Sequence, residues 1–170
     1  MAWSIVKTEV ALKISEAATA VVMMLLIAAP VLAGPLETAR AHEQSFDSAI
    51  LACNSADADE LYQDDAMAIY PGQDDIAPGK EAITKLLKNF TVAFCPNGHK
   101  KSALKDVRFA ASALGPDYIM IIRVIDATDK AGNHALLRAT KVIHQVGGKW
   151  RYLVDHTSVG LASAPPGGNQ

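Results

Sequence analysis

The chain has 170 residues, half of them apolar and 20% charged, which suits one folded domain and excludes an intrinsically disordered chain. Sixteen basic residues against eighteen acidic ones leave a formal charge of −2, so nucleic acid is not an expected partner. Two cysteines make neither a disulfide-rich miniprotein nor a four-thiolate zinc site.

The first 33 residues differ from the rest. Lys7 and Lys13 precede an uncharged run from Ala17 to Ala29, Pro30 breaks it, and Val31-Leu32-Ala33 supplies small residues for a signal peptidase. This predicts a secretory signal peptide cut after Ala33, hence a periplasmic or secreted domain with no membrane association after cleavage. The alternative is an uncleaved N-terminal anchor, although Ala17 to Ala33 lies at the short end of what spans a bilayer. Export bears on Cys53 and Cys95. Outside the cytoplasm two thiols in one small domain are usually oxidised, so a disulfide between them is expected, with two separate buried thiols as the alternative.

In the mature chain, Phe46, Ala49, Ile50 and Cys53 recur at helical spacing within Thr38 to about Asn54. A short helix follows over Asp57 to Tyr62, with Asp57 as its cap, then a short strand over Ala66 to Tyr70. Pro78-Gly79 opens a third helix whose apolar stripe is Ile83, Leu86, Leu87 and Phe90, and Pro96-Asn97-Gly98 ends it. Strands then run over 103–114, 118–126, 135–146 and 150–159, separated by Gly115-Pro116, a turn over 129–133 and Gly147-Gly148. Residues 34–161 form one domain, and the Pro- and Gly-rich tail 162–170 has little to bury. Helices first and hairpin-connected strands afterwards predict an α+β fold, a curved antiparallel sheet wrapped around the N-terminal helices, with a concave face able to form a cavity.

Several segments carry a family resemblance. Leu61-Tyr62-x-Asp64-Asp65-Ala66 and Gly79-Lys80-Glu81-Ala82-Ile83, in this order of elements, resemble the nuclear transport factor 2-like superfamily, which includes SnoaL-like cyclases and ketosteroid isomerase. Ile121-Ile122-Arg123-Val124, Thr140-Lys141-Val142-Ile143-His144, Gly148-Lys149-Trp150 and His156-Thr157-Ser158 are similar to the association domain of calcium/calmodulin-dependent kinase II. The resemblance spans Ala39 to Gly160. It implies a cone-shaped, cystatin-like α+β fold and a homodimer through the sheet. Tyr70 stands where the isomerase carries its aspartate base, so steroid isomerisation by that route is disfavoured. Val154 stands where the association domains usually have a second histidine.

Alternation puts Trp150, Tyr152, Val154, His156 and Ser158 on one face of the last strand, expected to be the inner one, with Asp155 pointing outward. His156 is then a candidate acid or base, or else a core histidine held by one hydrogen bond. Arg123 interrupts a strand apolar on both faces, so it meets either carboxylates of the protein or an anionic ligand. The resemblance implies a pocket-lining arginine and a small carboxylate. Tyr70 could donate to a ligand carbonyl or plug the mouth of the cone.

Seven carboxylates lie between Asp57 and Asp75 without the glycine and terminal glutamate of a calcium loop, and His42, His99 and His134 are scattered, so no metal is expected. No cofactor-binding motif and no covalent-hydrolase signature is present. Three functions stay open on the sequence. They are an exported domain binding a small molecule in its cone, a cofactor-free isomerase, cyclase or dehydratase using His156 with Tyr70 or Arg123, and an oligomerisation module without ligand.

Overall fold

The computed structural model describes residues 33–72, 75–95 and 102–160. The leader up to Leu32, the Pro96-Asn97-Gly98 turn with His99, and the tail 162–170 lie outside the described residues. Helix α1 (Pro35–Leu51) starts on a proline that costs it no hydrogen bond, and buries Ala39, His42, Glu43, Phe46, Ala49 and Ile50 on one stripe. It ends where Cys53 adopts a left-handed backbone, φ 61°, while the Asn54 amide reaches back to the Ala49 carbonyl at 2.9 Å.

The short helix α2 (Ser55–Asp59) is capped by Asn54, whose side chain accepts from the Asp57 amide at 3.2 Å, so Asp57 is the capped residue and not the cap. Strand β1 (Tyr62–Ile69) starts earlier than the composition suggests, because Tyr62 is fully buried and pairs with Tyr152. A two-residue strand β2 (Ala77–Pro78) leads into α3 (Gly79–Phe94), and Gly79 turns the chain at φ 76°. Strands β3 (Ala103–Gly115), β4 (Tyr118–Thr128), β5 (His134–Val146) and β6 (Lys149–Val159) follow.

The sheet order is β2-β1-β6-β5-β4-β3, antiparallel except for the parallel β1/β6 pair. Helix α1 packs on β3 and β4, and α3 on β1 and β2, so both long helices cover one face. Cys53 and Cys95 form a disulfide, with Cα atoms 5.1 Å apart, that ties the end of α1 to the end of α3. No helix among the described residues is long and apolar enough to cross a membrane.

Two bulges decide which side chains face the helices. In β3, Asp106 pairs with Ile125 and Arg108 with Val124, leaving Val107 as the extra residue. In β6, Tyr152 pairs with Ile143 and Val154 with Val142, leaving Leu153 extra. Strict alternation therefore fails at Leu153. Tyr152, Asp155 and Thr157 are buried beneath the helices, whereas His156 is exposed.

Candidate functional site

The centre of the concave face holds charge. From β4, Arg123 is 2% exposed and donates from Nη1 to Glu43 and, at 3.1 Å, to Asp47. Its Nη2 donates to Asp47 at 2.6 Å and its Nε to Asp106 at 2.8 Å. From β5, Lys141 is 2% exposed and sits 3.1 Å from Glu43 and 3.3 Å from Asp155, with its ammonium over the rings of Phe46 and Tyr152. Tyr152 donates to Glu43 at 2.7 Å. Glu43 reaches this centre because it lies on the buried stripe of α1, between Ala39 and Phe46.

A second knot of hydroxyls lies on the other side of Asp155. The Tyr62 and Tyr70 oxygens are 2.6 Å apart, and lie 2.6 and 2.8 Å from Oδ2 of Asp155. Two hydroxyl protons thus serve three short contacts, two of which converge on one carboxylate oxygen. Thr157 donates to the other oxygen at 3.1 Å.

Burial and pairing pull the protonation states in opposite directions, and pairing wins for most groups. Burial would raise the Glu43 carboxyl, yet the charges of Lys141 and Arg123 and the Tyr152 hydrogen bond hold it below its ordinary value. Burial would lower Arg123 and Lys141, yet their carboxylates raise both, so both stay charged. Asp47 is the exception. Its burial outweighs the Arg123 hydrogen bond and raises its carboxyl. Burial first, then the Asp155 charge, pushes the Tyr62 and Tyr70 phenols far up, so both remain protonated donors.

The expected site residues separate into two groups. Arg123 and Tyr70 are at the concave centre, where Arg123 takes the structural ion-pair arrangement, held by three carboxylates of its own chain. Tyr70 is buried, stacked on Phe90 at 4.8 Å, and bonded to Asp155. The expected inward placement of His156 is corrected. The Leu153 bulge turns His156 outward with Val154 and Ser158, and turns Asp155 inward. Trp150 is half-buried at the start of β6, away from the charged centre, and flanks a surface groove instead.

Glu43, Asp47, Lys141, Tyr62 and Tyr152 were not singled out from the sequence as site residues, and Asp155 was expected to point outward but is buried. Lys141 carried a weaker signal than Arg123, since it follows Thr140 and shares its strand with Arg138. Glu43 carried another, a carboxylate on the apolar stripe of a helix.

No protein-family model matches the chain, and no curated protein matches it. Solved structures do. A candidate calcium/calmodulin-dependent protein kinase II association domain from Xanthomonas campestris superposes with a TM-score of 0.63 at 20% identity, covering 79% of this chain and 94% of that one. A candidate dehydratase of the NTF2-like family from Streptomyces avermitilis gives 0.64 at 14% identity, with 75% and 96% covered. A ketosteroid isomerase-like protein from Erwinia carotovora atroseptica gives 0.59 at 17% identity, with 73% and 95% covered. The chain therefore has the nuclear transport factor 2-like, cystatin-like fold. Within that fold its neighbours range from association domains to dehydratase- and isomerase-like proteins, so the fold alone selects no activity.

Proposed function

We propose that the chain is an exported assembly domain that pairs with a second copy of itself through the outer face of its sheet. The observation that carries this reading is an apolar row across four strands. Met67, Val154, Val142 and Met120 are register neighbours on β1, β6, β5 and β4, on the face opposite the helices. Ile122 and Val124 extend the row along β4, and Ile122 and Met67 are 46% and 47% exposed. Such a patch on an uncovered sheet face marks an interaction surface. Its rim carries both signs, Arg108 and Arg138 beside Asp126, which suits a surface that meets its own copy across a two-fold axis.

The concave centre supports assembly over chemistry. Catalysis would need a free acid, base or cation facing substrate. Arg123 is instead held by Glu43, Asp47 and Asp106, Lys141 by Glu43 and Asp155, and the tyrosines by Glu43 or Asp155. Arg123, Lys141, Asp155 and the tyrosines are all buried. The isomerase or dehydratase reading would have to use Tyr70 and Asp155, since His156 lies on the outer face. The disulfide supports export, because such bonds persist in oxidising compartments.

Sedimentation velocity of the full chain and of Ile122→Asp tests the assembly. Expected is a wild-type dimer and an Ile122→Asp monomer with unchanged circular dichroism. A monomeric wild type at sub-millimolar concentration, or a dimer indifferent to Ile122→Asp, overturns it. N-terminal sequencing of the protein recovered outside the cytoplasm tests export, and Gly34 is the expected first residue.

A further inference from the structure

Beside the charged centre, between α1 and the start of β6, lies a groove of about 620 Å³. That volume is in the range of small-molecule sites. Among the described residues its apolar walls are Ala33, Ala41, Leu61 and Trp150, and the His42 ring also lines it. His42 is 8% exposed, packs edge-on against Tyr152 at 4.4 Å, and its buried Nε2 has no hydrogen-bond partner. Burial, with the nearby Lys141 charge, outweighs the opposing pull of Glu43 and drives its pKa down to about 4, so the ring is neutral. An unmet buried polar atom beside a groove is costly unless something fills it.

The rim is divided by charge. Lys149 and Arg151 of β6 supply cations at one side, and neither has an ion pair among the described residues. Glu37 on α1 supplies a carboxylate at the other, whereas Glu60 lies on the β6 side, since the next carbonyl, that of Leu61, accepts from the Tyr152 amide at 2.7 Å, and Glu60 is 3.7 Å from Lys80. An apolar trough with opposite charges on its two sides complements a small amphiphilic zwitterion. We propose that this groove binds a free amino acid or short peptide with a large apolar side chain. The carboxylate meets Arg151 and Lys149, the ammonium meets Glu37, and the side chain lies against Trp150 and Leu61. This site is independent of the assembly face, so either proposal can fail alone.

Calorimetric titration of the full chain with three probes tests it. Phenylalanine carries both charges, 3-phenylpropionate lacks the ammonium, and phenethylamine lacks the carboxylate. Phenylalanine is expected to bind more tightly than either by about tenfold, the worth of one charge-assisted contact. Arg151→Gln should remove that advantage over phenethylamine while leaving the phenethylamine affinity unchanged, and Glu37→Gln should do the converse with 3-phenylpropionate. Circular dichroism of both variants should match wild type. Equal binding of all three probes, no heat from any, or phenylalanine binding that ignores Arg151→Gln and Trp150→Ala would overturn the proposal.

Discussion

The two faces of strand β4 invert the usual arrangement. On the inner face Arg123 lies buried among three carboxylates, while on the outer face its neighbour Ile122 stands in solvent beside Met120 and Val124. A core normally excludes charge and a surface normally dilutes apolar groups. Here the concave side is filled by a network of paired charges and hydroxyls. The convex side keeps exposed apolar side chains, Ile122 and Met67 among them. Side-chain polarity is therefore a poor guide to which face is buried, and pairing is a better one. Desolvating Arg123 and Lys141 is tolerated only because Glu43, Asp47, Asp106 and Asp155 arrive with them.

The sharpest way to break this contrast is to remove one inner charge. Arg123→Met should destabilise the fold by about 3–5 kcal/mol in urea unfolding, because three carboxylates lose their cation at once. A loss under 1 kcal/mol would mean that the network is hydrated and the inner face is not closed. The next largest effect concerns the staple that holds the helices over that face. Cys53→Ser with Cys95→Ser should cost about 4 kcal/mol by chain entropy for a loop of this length, and wild type in reductant should match the double variant.

The third prediction concerns acid. The unfolded chain protonates His42 near its ordinary value of about 6.5, while folded His42 stays neutral down to about 4. Because the unfolded state binds the extra proton, stability rises with pH across that window and falls on acidification, by about 3 kcal/mol in full. His42→Phe should flatten the slope between those two values. The Glu43 carboxyl, held low, contributes stability that is lost only as pH falls further through its folded value.

The smallest effect is expected on the outer face. His156→Ala should change stability by less than about 0.5 kcal/mol, as exposed sites do. A large loss would return His156 to the interior and undo the contrast between the faces.

Most of the architecture was legible in local pattern. The apolar stripes of α1 and α3, the four long strands and their turns follow from spacing and from Gly and Pro placement, because each depends on residues close in sequence. The oddity of Arg123 was legible too, since a lone guanidinium in an apolar strand must be paired. Its partners were not. Glu43, Asp47 and Asp106 come from a helix and another strand, and only their packing against β4 brings them together.

The inward and outward sides of β6 were misread for a similar reason. A single bulged residue, Leu153, shifts the period-two pattern by one, exposing His156 and burying Asp155, and a bulge is a property of strand pairing with no signature in one strand alone. The sequence by itself determined the class of fold, the order of its elements and the pairing need of Arg123. The tertiary structure decided which carboxylates meet that need and which face of the sheet is left uncovered by the helices. Charge pairing and strand register are both relations between distant segments, and neither exists until the chain has folded.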